Sequence, residues 1–269
     1  TWGQRMNPRF RELILGGELT PVSKMSGAFL APESNLHLQF AYYQSSLVVE
    51  HLTERFGLEA IRNILKDLGE GVEINAAIAK HTEPLDKLEP AFRAYATAKA
   101  KALAPELDWT KPNPETLRTG VEEFARKHPK NFYLLVRQAR RALNDKDWEA
   151  VKAPCKELIK LFPHQTRGDG NPYVMLARAQ RELEEYQAER QTLETLAAMA
   201  DDAYPIFQRL TELAAEQKDW EAVRLNCERV LAVNPLLPDT HRHLAIAAEA
   251  LNDAPQAIES WQTLLRLDP

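Results

Sequence analysis

The chain has 269 residues, 44% hydrophobic and 27% charged, a globular balance that excludes a disordered or fibrous protein. Net charge is −5, all of it in residues 131–269, which hold 17 Lys and Arg against 22 Asp and Glu (17 − 22 = −5); an acidic surface repels phosphate backbones, so no nucleic-acid partner is expected. The 10 glycines and 2 cysteines are too few for phosphate-cradling loops, many hairpin turns or a disulfide framework, and no apolar run approaches the roughly 20 residues that membrane insertion requires.

Residues 1–104 read as a small irregular helical region. Asn7-Pro8 opens a helix that runs through Ile14 and stops at Gly16-Gly17. Residues 20–35, rich in Pro, Ser and Gly, read as a loop. A long amphipathic helix over 36–56 is stopped by Gly57, and Leu58 to Leu68 forms another before Gly69 and Gly71. Residues 73–80 suit a short helix and Leu85 to Ala104 a last long one; no stretch alternates as a strand does.

Ala41-Tyr42-Tyr43-Gln44-Ser45-Ser46-Leu47-Val48-Val49-Glu50-His51-Leu52, followed by Arg55-Phe56-Gly57, Ile64-Leu65, Leu68 and Gly71, resembles the carboxy-terminal helical part of peptidase-MA-like (gluzincin) metallopeptidase domains. The resemblance covers about residues 5–104, with Glu83 to Phe92 in place of the family's last helix. It implies a zinc peptidase whose His-Glu-x-x-His helix and Glu-bearing helix come earlier; neither is in this chain. Tyr42-x-Gln44-Ser45 is similar to the family's Tyr-x-Lys-Gly, whose tyrosine hydroxyl stabilises a tetrahedral oxyanion, so the resemblance implies that role for Tyr42 in an intact parent alone. Gln44 and Ser45 depart from the family pattern. No metal, no cofactor and no catalytic residue are expected in this chain itself: His51 and Glu54 supply two ligands where such a zinc takes at least three. Thr1 and the final Leu267-Asp268-Pro269 read as cut ends, which keeps open the alternative of a metallopeptidase fragment with its metal-binding half upstream of Thr1.

Residues 105–130 read as a linker, Asp108 to Pro114, and a capping half-repeat. That half-repeat is one helix between Pro114 and Pro129, with Leu117, Val121 and Phe124 on one face.

From residue 131 a period of 34 takes over. Pro129, Pro163, Pro235 and Pro269 follow apolar helical stretches at spacings of 34, 72 and 34, and Asp201 fills the missing stop. Trp148, Tyr186, Trp220 and Ala254 stand at the turns, 38, 34 and 34 apart. Small residues Ala139, Ala177 and Ala245, with Thr211 as a departure, precede them; apolar residues such as Val151, Cys155, Leu158 and Val223, Cys227, Val230 follow at helical spacing. This pattern resembles the tetratricopeptide repeat (TPR), a 34-residue helix-turn-helix, and divides into repeats 131–163, 170–201, 204–235 and 238–269. The expected fold is all-α, a solenoid of helical hairpins behind the small helical region. Cys155 and Cys227 fall too far apart for a disulfide and are expected to be buried thiols. The four extra residues near Thr166-Arg167-Gly168-Asp169-Gly170-Asn171-Pro172 read as a surface loop; Asp169-Gly170-Asn171 resembles a calcium loop but lacks its full ligand spacing.

The TPR resemblance implies that first helices line a groove and that the chain is a non-catalytic scaffold for a protein or peptide. It sends Tyr133, Val136, Arg140, Asn171, Val174, Arg178, Gln208, Glu212, Arg242 and Ile246 to that groove. Arg140, Arg178 and Arg242 would form a cationic track suited to carboxylates, making an acidic peptide the expected ligand. The opposing reading has these arginines solvated, or paired with Glu182 and Glu212.

Overall fold

The computed structural model describes residues 5–168, 170–200 and 203–267. The described residues are 75% helical with no strand among them, against roughly a third helix in an average protein, so the fold is all-α. It divides into two compact units between Pro105 and Glu106.

In the first unit, Asn7 caps α1 (Pro8–Leu15) by accepting the Phe10 amide at 3.0 Å. Gly17, at φ +87°, closes that helix: its N–H donates to the Ile14 carbonyl and the Glu18 N–H to Leu13. Residues 20–35 are not a plain loop. They hold a 3-10 turn (Val22–Lys24) and α2 (Met25–Leu30). Long-range bonds fix them: Glu89 accepts the Ser23 amide (3.1 Å) and hydroxyl (2.6 Å), and the buried Gln44 amide binds the Thr20 backbone on both sides. Helix α3 (Asn35–Gly69) is two helical segments joined at Gly57, whose φ of +80° and ψ of 166° break the ladder where the sequence places a stop. Then come α4 (Ile74–His81) and α5 (Leu85–Lys101). Phe10 stacks on Tyr43 at 4.9 Å and tilts against Phe40 at 5.6 Å, and Leu47, Leu88 and Phe92 complete the core.

The second unit opens with a segment tied down rather than slack. Asp108 donates its N–H to the Lys130 carbonyl and accepts the Phe132 N–H, each at 3.0 Å, while its carboxylate accepts the Thr110 amide and meets His128 Nδ1. Trp109 lies 4.8 Å from the Phe132 ring. The expected single capping helix is two short ones, α6 (Pro114–Thr119) and α7 (Val121–Lys127), parted at Gly120.

Four helical hairpins follow, giving a TPR-like array: α8 (Phe132–Asn144) with α9 (Trp148–Leu161), α10 (Pro172–Glu182) with α11 (Tyr186–Ala197), α12 (Tyr204–Glu216) with α13 (Trp220–Val233), and α14 (Pro238–Ala250) with α15 (Ala254–Leu267). Asp201 and Pro269, taken as repeat ends, and Asp169 of the inserted loop lie outside the described residues. Each turn is built alike. Lys146, Glu184, Lys218 and Asn252 adopt left-handed φ of 56°, 59°, 56° and 59° at the repeat spacings of 38, 34 and 34. The next N–H reaches back to the first helix, Asp147 to Ala142, Glu185 to Gln180, Asp219 to Ala214 and Asp253 to Ala248, at 2.8–2.9 Å. The same residue then begins the second helix. Asp147, Asp219 and Asp253 accept the amides of Ala150, Ala222 and Gln256 with their carboxylates. One aspartate thus ends one helix with its backbone and starts the next with its side chain.

Ala139, Ala177 and Ala245 are buried, and Thr211 in their register hides its hydroxyl by donating to the Phe207 carbonyl at 2.9 Å. Cys155 and Cys227 are buried unpaired thiols, pushed by burial up to about 12.

Candidate interaction surface

The register of the hairpins resolves the expected groove residues into two rows. Position for position, Val136, Val174, Gln208 and Arg242 form one row; Arg140, Arg178, Glu212 and Ile246 form the other. Both lie on the first helices α8, α10, α12 and α14.

The rows are not uniform. Val136 packs beside Gly170, whose added Cβ would sit 3.5 Å from a Val136 methyl carbon. Asn171 is not a groove residue. It is buried as the N-cap of α10, accepting the Tyr173 and Val174 amides and donating to the Thr166 carbonyl at 2.8 Å. Asn131 is buried in the same way as the N-cap of α8, accepting the Leu134 amide at 3.1 Å. Tyr133 turns its edge to the Phe132 ring at 5.4 Å and carries Lys111 over its face. Val174 and Ile246 are exposed and Gln208 is half-buried.

Nor is the cationic track continuous. Arg242 pairs with Asp239 on its own helix. Glu212 occupies the place after Arg178 and is held by Arg209 (2.8 Å) and Arg181 (3.5 Å). What remains is a two-arginine patch on the first two hairpins. Arg140 is exposed and enters no ion pair among the described residues. Arg178 lays its guanidinium over the Trp148 ring, 5.6 Å from the centroid, which orients it without neutralising it. With Val174 one turn away, the patch offers two cations beside an apolar side chain.

One polar group escaped the sequence reading. Glu189 on α11 is 2% exposed and accepts Nε (2.7 Å) and a terminal nitrogen (2.9 Å) of Arg209 on α12 in a bidentate pair. Arg181 lies 3.6 Å away. The pair holds the Arg209 guanidinium above its ordinary range, chiefly through the bond to Glu189. The signal was in the register: Glu189 stands where the other hairpins carry Val151, Val223 and Ala257, and a carboxylate in a core column needs a buried cation. A second regularity appears on the outer helices. Lys152 reaches Glu185 of the next turn at 2.8 Å, and Arg190, in the same register, reaches Asp219 at 3.0 Å.

In the first unit Tyr42 is 57% exposed beside the buried Tyr43, with the Phe29 ring edge-on at 5.0 Å. Gln44, in the stretch compared with Tyr-x-Lys-Gly, is spent on Thr20. His51 and Glu54 do not fit a zinc. His51 is buried against Tyr95 (4.8 Å) and Phe92 (6.0 Å), whereas Glu54 is exposed, 3.9 Å from Lys99. Among the described residues no three His, Cys, Asp or Glu side chains converge on a point that could hold a metal ion, and no helix is long and apolar enough to cross a membrane.

No protein-family model matches the chain, and no curated protein does. Among solved structures it is similar to crystal structures of MamA: one at 12% identity and TM-score 0.46, covering 60% of this chain and 96% of that one. Another, at 12% and 0.44, covers 51% and 73%. A MamA fragment from Desulfovibrio magneticus RS-1, at 18% and 0.43, covers 57% and 89%.

Proposed function

We propose that this chain is a protein-interaction scaffold, non-catalytic in itself, whose hairpin array takes an acidic peptide on the first helices of its first two repeats. The observation that carries this reading is the Arg140–Arg178 patch: two cations in one register row, one unpaired and one poised over Trp148, in a module whose other arginines on these helices are largely engaged by carboxylates. Two charge-assisted contacts, each about 1.5–3 kcal/mol before ordering costs, support weak to moderate affinity. Fluorescence anisotropy with labelled acidic, neutral and basic peptides of one length tests it. The acidic peptide should bind tightest, Arg140→Ala/Arg178→Ala should weaken it about tenfold or more, and the salt dependence should flatten. Equal binding of acidic and basic peptides, or a double variant as tight as the parent, refutes it.

A second reading rests on Tyr42. An aromatic side chain left exposed next to a fully packed one suits a residue that faces something else, and the gluzincin resemblance supplies that something as a bound substrate. It makes residues 1–104 the helical end of a metallopeptidase domain whose zinc ligands lie upstream of Thr1. A gene without His-Glu-x-x-His shortly upstream sinks this reading and leaves the scaffold untouched.

A further inference from the structure

The two cations of the candidate patch belong to a small grid of side chains whose spacing selects a ligand conformation. Helices α8 and α10 touch, and small side chains line their contact: Ala139 and Ala142 of α8 share a buried cluster with Ala179 of α10. Packed helices of this kind hold their axes about 8–10 Å apart. Arg140 and Arg178 share a register, so their row steps by that distance, and so does the row of Val136 and Val174. Along each helix the two rows are four residues apart, about 6 Å. Of residues 172–180, Val174 and Arg178 alone are exposed, so the middle of α10 offers a ligand one apolar and one cationic side chain.

A ligand chain crossing both helices has to bring an acid to the arginine row every 8–10 Å or so. A β-strand returns a side chain to one face every two residues, about 6.8 Å, and falls short. An α-helix returns one after three or four residues, about 4.5–6 Å, or after seven, about 10.5 Å, on either side of the step. A polyproline II segment returns one every three residues, about 9.3 Å, within the step. Its adjoining edge, with the same period, lies toward the valine row. We infer that the ligand is a polyproline II segment with acids at i and i+3 and apolar residues on the adjoining edge for Val136 and Val174. This inference rests on the Arg140–Arg178 reading above and specifies its ligand. The segment carries two acids in phase and not a longer run, because the arginine row continues to Glu212, which Arg209 and Arg181 already hold.

Fluorescence anisotropy of the full chain with proline-rich peptides of one length, apolar content and net charge, their two acids placed two, three or four residues apart, tests the inference. The i, i+3 peptide should bind at least about threefold tighter than the other two. A third acid at i+6 should add less than about twofold. Arg140→Ala removes an exposed side chain, so far-ultraviolet circular dichroism should be unchanged while the preference for spacing disappears, because one cation reads no distance. Equal affinity at all three spacings, a third acid worth as much as the second, or a spacing preference that survives Arg140→Ala overturns the inference and leaves acid recognition standing. Acidic peptides that bind no better than neutral ones overturn the patch itself, and the inference with it.

Discussion

The Glu189–Arg209 pair offers a decisive perturbation, because neighbouring repeats show which residues its two sites otherwise hold. Glu189 shares its register with Val151, Val223 and Ala257, and Arg209 with Arg137, Met175 and His243, of which Met175 is the buried apolar one. Arg209→Met alone strands a carboxylate that is 2% exposed, with only Arg181 at 3.6 Å to answer it. Breaking a buried pair in this way costs about 3–5 kcal/mol, and the remaining arginine pulls the expectation to about 3. Glu189→Val alone strands less charge, since Arg209 keeps Glu212 at 2.8 Å, and should cost about 1–2 kcal/mol. Glu189→Val/Arg209→Met replaces the pair with packed apolar groups and should fall within about 1 kcal/mol of the parent. Urea denaturation followed by circular dichroism, closed into a double-mutant cycle, gives a coupling of about 4–5 kcal/mol from these figures when the double variant is neutral. A double variant as unstable as the two single changes summed would refute the argument, and would mean that the site is specific in shape to the ion pair.

Three further outcomes are expected. Lys146→Gly and Lys218→Gly should each stabilise the array by about 0.5 kcal/mol, the left-handed penalty of about 1–2 kcal/mol less glycine's extra unfolded entropy of about 0.5–1; a loss of stability in urea melts would contradict the turn geometry. Ala177→Leu should destabilise by about 1–3 kcal/mol, because Leu193, Phe207 and Leu210 already fill its surroundings, and thermal melts will show it. The first unit should weaken in acid in two windows. Burial first, and Arg55 second, hold the His51 imidazole below its ordinary value, so stability is complete above about 6.5 and falls as pH drops toward its folded value. Hydrogen bonds from Lys80 and His81 hold the Asp67 carboxyl below the usual carboxylate range, so its contribution is present above about 4 and lost through its lower folded value. Urea midpoints against pH should lose the upper window in His51→Phe and the lower in Asp67→Asn; profiles unchanged by both would refute these assignments.

The hairpins were legible because stacking repeats one pattern, and the pattern survives substitution: Cys227 for Cys155, Trp220 for Trp148. The break at Gly57 was legible because glycine alone takes that φ cheaply. Part of what was missed depends on partners distant in sequence. Residues 20–35 are pinned by Gln44 and Glu89, and composition carries no trace of those bonds. Asn171 sits in a groove register, yet it immediately precedes α10 and its side chain is spent as the N-cap, as Asn131 is before α8. The Arg242–Asp239 contact is three residues apart on one helix, and counting arginines alone overlooked it.

The left-handed turns bear on how the array folds. In the first unit α1 closes with Gly17, for which the left-handed well is open; the hairpins enter it with lysine, glutamate or asparagine. A lone hairpin therefore meets a local penalty of about 1 kcal/mol before any contact between hairpins rewards it. Nucleation should belong to neighbouring hairpins docking together, with the turns among the last features to settle. Excised single repeats should then stay largely unfolded, and two adjacent ones should gain helix together in one step.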